Sequence, residues 1–224
     1  MIPWRQIDTA VVPGSDARLQ LYRRGDEFSI RGDGFELMNS RLHGSEEILA
    51  RLACQRIQDR AQSRVLIGGL GMGFTLAAAL EELPADSRVA VAELVPAVVR
   101  WNRGLLAHLA GQPLADSRVT VREGDVAEIL RTADAQYDAI ILDVDNGPDG
   151  LTRSENDRLY NRNGLQAALS ALRSGGVLAV WSSAPDTAFT DRLRRAGFQV
   201  AERIVAARGR RRGGRHVIWL AVRE

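Results

Sequence analysis

Three acids in this sequence each follow an apolar run: Glu93 closes "RVAVAE", Asp125 sits in "REGDVAEIL", and Asp143 sits in "YDAIILDVDNGP". Each run reads as a strand, and each acid lies where that strand would give way to a helix or turn. A carboxylate accepts two hydrogen bonds from a vicinal diol; it also attracts an ammonium group and takes its proton. Ahead of these acids, "RVLIGGLGMGF" places Gly68, Gly69, Gly71 and Gly73 directly after Val65-Leu66-Ile67. Glycines there permit a sharp strand-to-helix turn and let a bound group approach the backbone. Alone, such a run is weak evidence for a binding loop, since glycine clusters often mark no more than a tight turn.

Spacing adds chemistry to the pattern. Glu93 lies about 20 residues beyond the glycine run, where an acid grips ribose hydroxyls in nucleotide-binding α/β domains. Its other reading is a solvated acid at a strand end. Asp125 opens a helical pattern, so its carboxylate suits an adenine amino group while the backbone N–H of Val126 faces a ring nitrogen. It equally suits a helix N-cap. With Gly69, Gly71 and Gly73, these residues predict an adenosine-containing ligand. A phosphate handle is disfavoured: the G-x-x-x-x-G-K-[ST] loop is absent and all 30 basic residues are arginine. A phosphate-free nucleoside such as an S-adenosyl sulfonium compound fits better than the cofactor of a hydride-transferring dehydrogenase.

A sulfonium carbon is already activated, so the protein mainly has to hold a nucleophile in line. Asp143 is placed to orient a protonated amine and accept its proton. Asp145 and Asp149 either add negative potential or cap turns in "DVDNGPDG". The long polar stretch from Asn146 to Tyr160 suggests a lid or substrate-selecting segment.

The elements that must carry these groups alternate from Leu66 onward. "RVLIG", "RVAVAEL", "RVTVRE", "YDAIILDVD" and "GGVLAVWSS" read as strands. The helical patterns "FTLAAALEEL", "PAVVRWNRGLLAHL", "VAEILRTA", "NGLQAALSALRS" and "TAFTDRLRRAGF" follow them in turn. "FQVAERIVAA" and "RHVIWLAVRE" then form a hairpin with no helix between them. This order predicts an α/β, Rossmann-like class I methyltransferase fold: a mostly parallel seven-stranded sheet ending in an antiparallel hairpin. "RLQLYRR", "EFSIR" and "FELM" precede it as a small β meander, giving an N-terminal unit over 1–40 and a nucleoside-binding catalytic domain over 41–224. The helix joining them starts in "SEEILARLACQRIQDRA", with Ser45 as N-cap and Ile48, Leu49, Leu52 and Ile57 as its apolar stripe.

Taken together, the motifs resemble the polyamine aminopropyltransferases, the spermidine synthase family. "RVLIGGLGMG" is similar to that family's glycine loop and "VAELVPAVV" to its ribose-binding strand end. "DSRVTVREGDVAEIL" resembles its adenine-binding segment, and "YDAIILDVDNGP" the stretch ending in its catalytic Asp and a Pro. The resemblance covers most of residues 62–200. It implies that Glu93 and Asp125 bind the nucleoside, that Asp143 is the proton acceptor and that Pro148 lines the pocket. The implied co-substrate is decarboxylated S-adenosylmethionine or S-adenosylmethionine, with no metal, and the partner is a small-molecule amine. The chain resembles a divergent, short member. The family's glycine-loop acid falls at Gly71, or at Met72 with a one-residue shift. Its Tyr-His-Glu stretch is matched by Ser45 to Glu47, and its Gln by Leu37; Asp145 matches a second Asp approximately. These departures predict slow turnover of putrescine and an acceptor that is bulkier or less charged.

Composition bounds the alternatives. The chain has 224 residues, 45% hydrophobic content and a net charge of +2, which suits one main soluble domain. No run approaches the roughly 20 apolar residues that cross a bilayer, and "MIPWRQIDTA" lacks a signal-like apolar core, so the expected location is the cytoplasm. The single Cys54 sits at helical spacing and reads as a small core residue. Methyl transfer to an unknown acceptor is the close alternative, since fold alone does not separate it. An RNA-binding or catalytically idle nucleoside-binding protein is the other, resting on the five arginines of 208–215. The absence of an Asn-Pro-Pro-aromatic signature speaks against base methylation and so against nucleic acid; a homodimer is compatible with the family reading. His43 and Trp181 read as structural, His108 is assigned no role, and Tyr160 reads as core or ligand packing.

Overall fold

The computed structural model describes residues 2–144, 157–206 and 215–224. Four antiparallel strands come first: β1 (Arg5–Val11), β2 (Arg18–Arg24), β3 (Glu27–Gly32) and β4 (Phe35–Asn39), paired in chain order. The sequence pattern indicated only three of them. In β1 the register shifts between Gln6 and Asp8, and that irregularity breaks the two-residue alternation by which strands are recognised. This small sheet shares its core with the rest of the chain. Leu21, Phe28 and Ile30 are buried in one cluster with Leu49, Val98 and Trp101. The Trp101 indole N–H donates to Asp8 Oδ2 at 2.6 Å, tying β1 to the main body.

The linking helix α1 spans Gly44–Gln55 and differs from expectation at its start. His43 holds the cap position, with no side-chain cap bond, and Ser45 lies inside the first turn. Leu49 and Ile57 are fully buried, as the stripe predicts, and Ile48 and Leu52 are partly buried.

Next come β5 (Arg64–Gly68), α2 (Phe74–Glu82), β6 (Arg88–Glu93), α3 (Pro96–Arg103), β7 (Val119–Glu123), α4 (Val126–Thr132) and β8 (Tyr137–Leu142). After them follow α5 (Asp157–Tyr160), α6 (Arg162–Ala171), β9 (Leu172–Ser182), α7 (Thr187–Arg195), β10 (Phe198–Ala206) and β11 (Arg215–Arg223). Pro96 occupies the first turn of α3 as expected, but the helix stops before Gly104 instead of continuing to Leu109.

The seven strands lie in the order β10-β11-β9-β8-β5-β6-β7. β5 to β9 are parallel; β11 runs antiparallel between β9 and β10. Side chains alternate across the central strands, so Val65 and Ile67 face one core with Val89, Val91 and Ile141. Leu66 faces the other, with Ile140, Leu142 and Leu178. Burying each such side chain contributes about 1.5–3 kcal/mol, which fixes the strand register and therefore the strand ends.

Asp138 anchors the opposite end of β8. It accepts from Arg60 at 2.7 Å, Arg173 at 2.9 Å and the Arg64 N–H at 2.8 Å. Burial alone would raise its carboxyl, but the Arg64 N–H and the two guanidiniums outweigh this and hold it below the usual range. No helix among the described residues is long and apolar enough to cross a membrane.

Candidate active site

The chain leaves β5 towards β6 and β7 on one side, then returns to β8 and β9 on the other. Parallel sheets take ligands at the carboxyl ends of strands flanking such a reversal. A cleft lies there. Gly69, Gly71, Glu93, Asp125 and Asp143 all line it, and the small sheet contributes Ile30, Leu37 and Met38.

Glu93 ends β6 and is buried. Its Oε2 accepts from the Leu70 N–H at 2.9 Å and its Oε1 from the Val95 N–H at 2.8 Å. These two bonds lock the carboxylate between the glycine loop and the start of α3. Glu93 lines the cleft, and a carboxylate is the acceptor type that a vicinal diol calls for.

Asp125 is the N-cap of its helix, α4, accepting from the Ala127 N–H at 2.8 Å, and it also faces the cleft with Val126. The Val126 side chain also fills the space over Gly68, 3.1 Å from where a Cβ would stand.

The glycine loop bends because three residues take positive φ: Gly69 at 89°, Gly71 at 52° and Gly73 at 86°. A side chain at Gly69 would collide with the Asp143 carbonyl oxygen, so the absence of a Cβ lets the two strand ends meet. At Gly71 a Cβ would stand 2.6 Å from Met38 Cε. Gly71 is therefore the cleft-facing residue of the pair considered for the missing acid. Met72 is fully buried in the core instead and cannot select an acceptor.

Asp143 follows β8, and its N–H donates to the Gly68 carbonyl at 2.9 Å. The Thr75 hydroxyl donates to its Oδ2 at 2.5 Å. Burial pushes the Asp143 carboxyl up to about 6, against the opposing pull of the Thr75 bond. A carboxyl at that value changes charge close to neutral pH, which suits a proton acceptor.

Glu46 was not singled out by the sequence, yet it is buried and lines the same cleft. Burial and then the charge of Asp143 push its carboxyl up to about 7. The Ser45 hydroxyl donates to Glu46 Oε2 at 2.8 Å, and that hydroxyl lies 3.0 Å from His216 Nδ1. Adjacent acids in "SEE" look like ordinary first-turn helix charges, and only the fold separates them. Glu47 turns away to His43 at 2.7 Å and to Arg51.

Other expectations resolve as follows. Trp181, read as sheet packing, also lines the cleft and stands edge-on to His216. Tyr160 is buried against Phe189, as core. His43 stacks on Phe74 at 3.9 Å, and His108 packs edge-on against Phe28. Cys54 is buried, which pushes its thiol up to about 12 and leaves it inert. Asp145, Pro148 and Asp149 lie outside the described residues, as do most of the arginines of 208–215. Among the described residues no His, Cys, Asp and Glu side chains cluster as a metal site.

The family model for the spermine/spermidine synthase domain matches residues 43–190, more than half of the chain. Putrescine N-methyltransferase 2 of Nicotiana attenuata is 37% identical over 116 residues, covering 51% of this chain and 29% of that protein. The polyamine aminopropyltransferase of Corynebacterium efficiens is 34% identical over 134 residues, covering 58% of this chain and 24% of its own length. The matched stretches thus span between 24% and 31% of the curated relatives. Among solved structures, spermidine synthase in complex with the transition state analogue AdoDATO superposes with a TM-score of 0.76 at 20% identity, covering 98% of this chain and 73% of that one. Spermidine synthase from Thermotoga maritima gives the same values. At such identity these structures speak for the fold, and the family match speaks for descent: the chain belongs to the spermine/spermidine synthase family.

Proposed function

We propose that the chain binds an S-adenosyl sulfonium donor and transfers an aminopropyl group from decarboxylated S-adenosylmethionine to an amine. The observation that carries this is the convergence of Glu93, Asp125 and Asp143 on one cleft from the ends of three strands. Glu93 holds the ribose hydroxyls, Asp125 and the Val126 N–H meet the adenine, and the glycine loop admits the nucleoside close to the backbone. The family resemblance assigns Pro148 to nucleoside binding as well. Asp143, with Asp145 as a second acid, orients the incoming ammonium and accepts its proton. The freed amine lone pair forms the new C–N bond as the C–S bond breaks, and the sulfonium sulfur leaves as a neutral thioether.

Methyl transfer on the same site is the second reading, favoured by the 37% identity to putrescine N-methyltransferases. The two readings differ in which carbon on sulfur is attacked, and therefore in the nucleoside product. Incubation with each donor and an amine panel, with product identification by mass, separates them. Methylthioadenosine reports aminopropyl transfer; S-adenosylhomocysteine reports methyl transfer.

A further inference from the structure

Glu46 lies in the first turn of α1, is buried, and lines the cleft together with Trp181. A carboxylate taken out of water needs hydrogen bonds from the fold. Here they come in series. The Ser45 hydroxyl donates to Glu46 Oε2 at 2.8 Å and lies 3.0 Å from His216 Nδ1. A hydroxyl has one proton to give. With that proton on Glu46, Ser45 accepts from His216, so the imidazole carries its hydrogen on Nδ1. Burial holds His216 below the usual imidazole range, in keeping with a neutral ring. Trp181 stands edge-on to that ring at 4.7 Å. Both bonds therefore run one way, from β11 through Ser45 to the carboxylate. Donors aligned like this strengthen one another and favour the ionised acceptor.

We propose that Glu46 holds the ammonium of the donor's aminopropyl chain, and that Ser45 and His216 are the residues that position it. Two ammonium groups enter the reaction proposed above, and they make different demands. The acceptor's must lose its proton before the nitrogen attacks, so its partner is a base, the role given to Asp143. The donor's keeps its proton throughout, so its partner has to hold it still while the C–S bond breaks. A carboxylate pinned through Ser45 to a half-buried imidazole suits that second task. The charge-assisted bond from the ammonium in turn offsets the cost of burying Glu46. The inference rests on the proposed function, because it takes the adenosine to be held by Glu93 and Asp125.

The test is calorimetric titration, without acceptor, of two unreactive thioethers. Methylthioadenosine is compared with aminopropylthioadenosine, which carries an aminopropyl group in place of the methyl, so the ammonium is the one charge that differs. Glu46→Gln is expected to weaken aminopropylthioadenosine about tenfold and to leave methylthioadenosine unchanged, which also checks that the cleft is folded. Ser45→Ala and His216→Phe are expected to cost about threefold each, again for the aminopropyl compound alone. His216→Asn, whose amide can donate from near the Nδ1 position, is expected to restore most of that loss. Aminopropylthioadenosine affinity indifferent to Glu46→Gln, or both thioethers weakened equally, overturns the ammonium site and leaves the proposed function standing. Losses in Ser45→Ala or His216→Phe that are absent, that extend to methylthioadenosine, or that His216→Asn shares overturn the positioning role. Failure of methylthioadenosine to bind the parent chain overturns the proposed function and this site with it.

Discussion

The Thr75 hydroxyl donates to Asp143 Oδ2 at 2.5 Å, joining the first turn of the helix after the glycine loop to the acid after β8. The bond favours the ionised carboxylate and so opposes the effect of burial. Thr75→Val, close to isosteric, removes the donor and is expected to raise the Asp143 carboxyl further above about 6. The acid limb of the kcat/KM profile should move to higher pH, and Thr75→Ser should restore it. An unmoved limb would mean that Asp143 does not titrate in the reaction.

Glu93→Ala should weaken nucleoside binding by about 1–3 kcal/mol, because the diol loses a charged acceptor. The same change strands the Leu70 and Val95 N–H groups that Glu93 now satisfies, so thermal stability should fall as well. Isothermal titration with methylthioadenosine on the folded variant measures the first effect. Unchanged affinity would remove Glu93 from the site.

The two raised carboxyls have a stability consequence with a definite sign. Unfolded Asp and Glu titrate near pH 4, whereas Asp143 is pushed up to about 6 and Glu46 to about 7. Between those values the folded chain holds more protons than the unfolded one. The stabilisation from this pair is therefore present below about pH 4 and is lost as pH rises through about 6 to 7. Asp116, held down at about 2 by Arg118, acts in the opposite direction but only at lower pH. Glu46→Gln combined with Asp143→Asn should therefore melt higher than the parent at pH 8, with the gap closing towards pH 5. A gap independent of pH would contradict these assignments.

Gly69→Ala places a methyl group against the Asp143 carbonyl oxygen at a residue with φ of 89°. Strain of this kind costs about 1–3 kcal/mol, and relief requires the two strand ends to part. The variant should unfold at lower denaturant and lose turnover more than its stability loss accounts for. Full activity at saturating donor would show that the approach of Gly69 to Asp143 is not needed.

The main sheet was readable because parallel strands covered on both faces appear as continuous apolar runs, as in "YDAIIL" of β8, all of it buried. Glu93 and Asp143 were readable for the same reason, since an acid ending such a run marks the strand's carboxyl end. β1 was not, because its register shift at Gln6 and Asp8 scrambles the alternation. Glu46 was hidden by its neighbour Glu47, as a first-turn acid is favoured on any helix whichever way it faces. Gly71 and Met72 could not be ranked from spacing, because the choice depends on φ and on Met38, a residue distant in sequence. The Ser45 cap failed for a related reason: its hydroxyl is engaged by Glu46 and by His216 from β11.

The central claim is that Asp143 accepts the proton of an amine attacking a bound sulfonium carbon. The most direct measurement is single-turnover formation of methylthioadenosine from decarboxylated S-adenosylmethionine and an amine, comparing the parent chain with Asp143→Asn. The substitution keeps shape and removes charge. A fall of at least about 100-fold in rate is expected, with donor affinity nearly unchanged. Equal rates in the two proteins would contradict it.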